Sequence, residues 1–77
     1  MTTIDRTVDA RGLNCPMPIL RARKALGEVP VGGVLEVLAS DAGAPADFEA
    51  FAKTTGHVLL SCDAMDGVFR ILLQRSA

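Results

Sequence analysis

The sequence predicts an α/β two-layer sandwich with element order βαβαββ, in which both helices cover one face of the sheet. Three observations carry this. Four short runs rich in branched apolar residues alternate at period two. Two intervening stretches space their apolar residues three and four apart, as a helix does. Glycine, proline and aspartate punctuate the boundaries. Successive right-handed crossovers moving the same way across a sheet place both helices on the same side. With 77 residues the chain has room for a single domain, residues 1–77, and no second one.

The first strand is expected over Ile4 to Ala10, with Ile4, Arg6 and Val8 on one face and Asp5, Thr7 and Asp9 on the other. Helical spacing runs from Pro16 to about Gly27, burying Ile19, Ala22 and Leu26 and leaving Arg21, Lys24 and Glu28 in water. Pro30 and Gly32-Gly33 make the next turn, and Val34 to Ser40 reads as the second strand. The loop from Asp41 to Pro45 leads into a second helix over Pro45 to Thr55, with Phe48, Phe51, Ala52 and Thr55 on its inner face and Gly56 as the stop. His57 to Ala64 is the third strand, Met65-Asp66-Gly67 a hairpin turn, and Val68 to Arg75 the fourth strand. Alternation assigns Leu35, Val37, Ala39, Phe69, Ile71 and Leu73 to the helix side, together with Val58, Leu60 and Cys62. Val34, Glu36, Leu38, Leu59, Ser61, Asp63, Arg70, Leu72 and Gln74 fall on the open side.

Composition narrows the function. Eight Lys and Arg against nine Asp and Glu give a net charge of −1, which argues against a directly gripped nucleic acid, since phosphate binding needs a basic excess. No stretch approaches the roughly 18 apolar residues of a membrane span. Met1 to Arg6 has no apolar run, so no signal peptide is expected and the cytoplasm is the expected location. In that reducing compartment Cys15 and Cys62 are free thiols, too far apart in the chain for a close-paired zinc site. With no Trp or Tyr and a single His, the chain is short of groups for acid–base chemistry, and no metal or cofactor is called for.

Cys15 is the leading candidate. It sits where the first strand gives way to helical spacing, between Asn14 and Pro16, with Pro18 following. A residue before proline is pushed out of the helical region, which casts Cys15 as the N-cap and Pro16 as the first helical residue. Functional groups of open α/β sheets gather beyond the carboxyl ends of the strands, so Cys15 after the first strand and Asp41 after the second should share one edge. A helix N-terminus favours the thiolate, although two prolines remove donors there, so a modestly activated, accessible nucleophile is expected. Cys62 is read as a buried structural thiol, and His57 as a satisfied edge histidine. Asp41 serves as a brace or cap beside Cys15. Arg21, Arg23 and Lys24 form a cationic helix face suited to an acidic partner.

The run Arg11-Gly12-Leu13-Asn14-Cys15-Pro16-Met17-Pro18 resembles the signature of the TusA/SirA-like sulfur carriers, whose hallmark is Cys-Pro-x-Pro near the N-terminus. The likeness continues through Gly33 to Val37, at Asp41, and from Phe51 through Gly56 to Leu60. It departs at Ala42, where many relatives have proline, and at Ala52, where many have a second cysteine. The resemblance implies a fold similar to the C-terminal domain of a bacterial translation initiation factor: a four-stranded mixed sheet, order 1-2-4-3, with the last strand antiparallel to the rest. It also implies that Cys15 accepts sulfur as a persulfide, with Pro16, Pro18 and Asp41 in support, in a carrier that is no self-contained enzyme. Donors would be cysteine desulfurases or rhodanese-type sulfurtransferases. Acceptors would be DsrE-like proteins or relay components of tRNA thiolation, molybdenum cofactor assembly or dissimilatory sulfur oxidation.

The chemistry suits these residues. Transfer between sulfurs needs an accessible thiolate and a partner thiolate, and neither a base nor a metal. The expected protein is a monomer that works by contact with a donor and an acceptor, without direct nucleic acid or membrane binding. The rival is a nucleic-acid-binding or regulatory module, suggested by the translation-factor fold, which the charge balance and the lack of stacking aromatics oppose. A redox enzyme of the Cys-x-x-Cys type lacks its second cysteine.

Overall fold

Four strands and two helices alternate in the order β1 (Arg6–Ala10), α1 (Met17–Leu26), β2 (Val34–Ala39), α2 (Ala44–Thr55), β3 (Val58–Met65) and β4 (Val68–Gln74) in a computed structural model that describes residues 3–77. Met1 and Thr2, part of the segment read for a signal peptide, lie outside the described residues. The sheet order is β1-β2-β4-β3, with β1 and β2 parallel and β4 antiparallel to both β2 and β3. This is the mixed sheet with an antiparallel last strand that the family resemblance implied.

The core lies between the sheet and the helices. Leu35, Val37 and Ala39 of β2 meet Ile71 and Leu73 of β4, all without exposed surface. Pro18, Ala22, Ala25 and Leu26 of α1 and Ala44, Phe48 and Phe51 of α2 close over them. Phe48 and Phe51 stack edge to face, with ring centroids 6.2 Å apart, a geometry suited to the ring quadrupole. Ile19 and Phe69 are half-buried against this cluster.

Element ends differ from the periodicity by a residue or two, for local reasons. β1 begins at Arg6 because Asp5 is diverted: its carboxylate accepts the Val34 N–H at 2.8 Å, while its own N–H goes to the Val34 carbonyl at 2.9 Å. Gly56 ends α2 at φ 82°, the left-handed conformation that a side chain would oppose, and its N–H returns to the Ala52 carbonyl. His57 is held: its Nδ1 accepts the Ser76 N–H at 3.1 Å, and its ring lies 6.2 Å from that of Phe51.

The open face carries a polar network on a partly apolar floor. Glu36 accepts from Thr7 at 2.9 Å and pairs with Arg70 on the neighbouring strand, while Val34 and Leu72 are buried beside them. Glu36 and Arg70 thus share the open side, as alternation required.

β3 departs from the expected register. Leu59 faces Leu73 and Ser61 faces Leu72, so Leu60 is an extra residue in a β-bulge. A single inserted residue exchanges the faces on one side of it. Leu59 therefore packs on the core and Val58 opposes Gln74 on the open side, reversing the expectation for both. Beyond the bulge Ser61 and Asp63 keep their open-side positions, and Cys62 opposes Ile71. Cys62 is nonetheless exposed, not buried. Among the described residues β3 is an edge strand with no neighbour on its outer flank. At eight residues it also extends about 26 Å, beyond the about 18 Å of the twelve-residue α2.

Candidate functional site

The β1–α1 loop carries Cys15 to the edge where β1 and β2 both end. Gly12 makes the first turn at φ 79°, a conformation natural to glycine, and donates its N–H to the Ser40 hydroxyl at 2.8 Å. That bond ties the loop to the end of β2. Leu13 N–H returns to the Ala10 carbonyl at 3.2 Å, and Met17 N–H closes a turn on the Asn14 carbonyl at 2.8 Å. Cys15 lies inside this turn, exposed and free.

Its relation to the helix differs from the expectation. Pro16, not Cys15, is the N-cap, and no side chain caps the helix. Met17 and buried Pro18 are the first two helical residues, which puts Cys15 one position outside the cap. Pro18 has no N–H to direct at the sulfur. The helix end therefore does little for a thiolate here.

The electrostatics run the other way. Asp47, in the first turn of α2, is the largest influence on the Cys15 thiol. Desolvation comes next, followed by the charges of Asp47 and Asp41, and all of these raise the thiol pKa. Cys15 is accessible, as expected, but held toward the protonated form rather than activated.

Asp41 stands at the carboxyl end of β2, at the same edge as Cys15, and braces the entry to α2. Its carboxylate accepts the Gly43 N–H at 3.1 Å and its carbonyl accepts the Ala44 N–H at 3.0 Å. The cations sort into two groups. Arg21 and Lys24 line a groove between α1 and β1 together with Arg6, Asp9 and Glu28, while Arg23 is exposed on α1 outside that lining. Cys15 is outside it as well. Arg11 is bound by Asp9 through two contacts of 2.9 Å, which hold the Asp9 carboxyl down at about 2. Met17 and Leu20, 41% and 49% exposed, give the Cys15 end of α1 an apolar surface.

Sequence reasoning placed Asp47 on the second helix without giving it a role. The available signal was its place in the first turn of the helix that follows β2, which brings it to the strand edge where Cys15 and Asp41 were expected. Among the described residues no group of three or more His, Cys, Asp or Glu side chains is arranged to hold a metal ion. No helix among them is long and apolar enough to cross a membrane.

The chain matches known proteins along nearly its whole length. The family described as sulfurtransferase TusA matches residues 6–75. The sulfur carrier protein TusA of Allochromatium vinosum is 47% identical over 76 residues, covering 99% of this chain and all of that protein. A Neisseria meningitidis protein provisionally named a sulfur carrier is 59% identical over 68 residues, covering 88% of this chain and 92% of its own. The crystal structure of a SirA-like protein from Desulfitobacterium hafniense superposes with a TM-score of 0.81 at 31% identity, covering 94% of this chain and 99% of that one. With this fold and this match along nearly its whole length, the chain belongs to the TusA family of sulfur carriers.

Proposed function

We propose that the protein carries sulfane sulfur as a persulfide on Cys15, taking it from a donor protein and passing it to an acceptor thiol. The observation that carries this reading is the placement of Cys15: an exposed, free thiol on a loop tied to the end of β2, at an open edge that a partner can reach. In the loading step the Cys15 thiolate attacks the outer sulfur of a donor persulfide. The new S–S bond forms on Cys15, the donor S–S bond breaks, and the donor leaves as a thiolate. In the delivery step an acceptor thiolate attacks the outer sulfur on Cys15, which departs as a thiolate in turn. Each exchange moves one sulfur with no net redox change, and needs access and a good leaving group rather than a pocket.

Donors of this kind are cysteine desulfurases and rhodanese-type sulfurtransferases. Acceptors are DsrE-like proteins or relay components serving tRNA thiolation, molybdenum cofactor assembly or sulfur oxidation. Met17 and Leu20 offer an apolar contact beside Cys15, and Arg21, Arg23 and Lys24 a cationic one, a combination suited to an acidic-rimmed partner. Two free thiols suit a reducing, cytoplasmic setting.

The test is sulfur loading. Incubated with cysteine and a desulfurase, or thiosulfate and a rhodanese, the protein should gain the mass of one sulfur atom, removable by a thiol reductant and mapping to the peptide that contains Cys15. Sulfur mapping elsewhere, or none at all with either donor, would overturn the reading.

A further inference from the structure

The two edges of the sheet differ. β3 is bent by the bulge at Leu60, and Asp63 is its single charged residue. β1 keeps an unbroken register and borders a groove of about 600 Å³ that it shares with α1. Four consecutive residues of β1, Arg6 to Asp9, line that groove. Successive side chains of a strand leave opposite faces, so consecutive residues share a groove only where it runs along the strand's edge. β1 pairs with β2 on one side, and among the described residues no strand lies on the other. A row of backbone N–H and C=O groups there is open to a further strand.

Across the groove stand Arg21 and Lys24, three apart on one stripe of α1, and Glu28 just past its end. The charges do not cancel. Glu28 is paired with Arg6 at 3.3 Å, and Asp9 with Arg11 at 2.9 Å. Arg21 and Lys24 are exposed and belong to none of the ion pairs among the described residues. The groove therefore joins an open strand edge to two uncompensated cations on its helix side.

We infer that this groove binds an extended acidic segment of a partner protein, which adds to the β1 edge as a fifth strand with acidic residues at alternate positions against Arg21 and Lys24. The spacings agree. Side chains on one face of a strand recur at about 6.6 Å, and helix residues three apart stand about 5–6 Å from each other at Cβ. The intervening residues of the segment leave on the open side, which Thr7 shares with Glu36 and Asp9 with Thr7. A further acid there would meet the Asp9 carboxylate, so neutral residues belong at those positions. Backbone bonds to β1 supply affinity, and the alternate acids supply selectivity. A small anion would use the two cations but leave the strand edge open. Cys15 lies outside the groove, so the inference stands whichever thiol carries sulfur.

The test is an amide NMR titration with a short peptide that alternates aspartate with valine. Shifts should centre on Arg6 to Asp9 and on Arg21 and Lys24, and β1 amides that exchange freely in the protein alone should become protected from hydrogen exchange. Proline in place of each valine keeps the charge but removes N–H groups from the added strand, and should weaken binding several-fold. Arg21→Glu combined with Lys24→Glu should weaken it about tenfold at low salt and less at high salt. Circular dichroism checks the fold, and Arg21→Gln with Lys24→Gln replaces the reversal if that variant is unfolded. No binding, shifts centred away from the groove, β1 amides left unprotected, or a proline peptide that binds equally well would overturn the inference. So would an oligouridylate of the same charge that binds as tightly as the peptide, since the site would then read charge and not a strand. Sulfur loading of the groove variants by a small-molecule persulfide reads Cys15 separately: its failure would overturn the carrier reading and leave the groove assignment standing.

Discussion

Cys15 and Cys62 are both free, both exposed and both raised in pKa, yet they sit in different physical settings. Cys15 lies on a loop braced by hydrogen bonds at each end, on an edge where β1 and β2 both finish. The influence of Asp47 is the first of the causes that raise its thiol pKa. Cys62 lies in the middle of an edge strand, its thiol raised first by desolvation and then by the charge of Asp63. Exposure alone therefore does not mark a carrier thiol. What distinguishes Cys15 is its place on a braced loop at an open edge of the sheet.

The largest effect expected from breaking this contrast is on the approach to Cys15. Charge reversal at Arg21 and Lys24 should slow sulfur uptake on the order of tenfold at low ionic strength and much less at high salt, since steering by surface charge is screened. Stopped-flow or quenched transfer assays at two salt concentrations read this directly. Equal slowing at both would move the docking surface elsewhere.

Next come the two sides of the β3 bulge. Leu59→Ala should cost about 1–2 kcal/mol, at or below the lower end for a core leucine because Leu59 is only half-buried. Cys62→Ser, three residues on, should cost less than about 0.5 kcal/mol, as an exposed substitution does. Urea denaturation of the two variants measures the difference. If Cys62→Ser costs more than Leu59→Ala, Cys62 is in the core and the bulge is misplaced. Peptide mapping after alkylation sharpens the point, because Cys62 should be modified in the native protein without unfolding.

The smallest effect concerns the open sheet face. A double-mutant cycle on Glu36 and Arg70 should give about 0.2–1 kcal/mol of coupling, as expected of a cross-strand pair that is partly exposed. The hydrogen bond from Arg70 holds the Glu36 carboxyl below its ordinary value. The unfolded chain then takes up the proton first, so this contribution is complete above the ordinary glutamate pKa of about 4.3 and is lost as pH falls through the folded value. Glu36→Gln should lose less stability than the parent between about pH 5 and pH 3 in urea titrations.

Much of the fold was legible because local and global signals agreed. β2 and β4 alternate without interruption, and their assignment to the helix side held at Leu35, Val37, Ala39, Ile71 and Leu73. Gly56 supplied the left-handed stop that the end of α2 required. The sheet order was not readable from alternation, which fixes faces but not neighbours, and came from the family resemblance. β3 misled because Val58 to Leu60 is apolar at every position, so either register buries something and only the pairing with β4 exposes the bulge. The thiol's surroundings misled for a related reason. Proline at two of three positions suggested a capped helix end, while the dominant influence, Asp47, lies far along the chain and reaches Cys15 only through the parallel pairing of β1 with β2.

The most direct test of the central claim is mass spectrometry of the Cys15→Ser and Cys62→Ser variants after incubation with a desulfurase and cysteine, each confirmed folded by circular dichroism. The account predicts that Cys62→Ser gains one sulfur atom at the rate of the parent and that Cys15→Ser gains none. Sulfur bound by folded Cys15→Ser, or its loss from Cys62→Ser, would contradict the assignment of the carrier thiol.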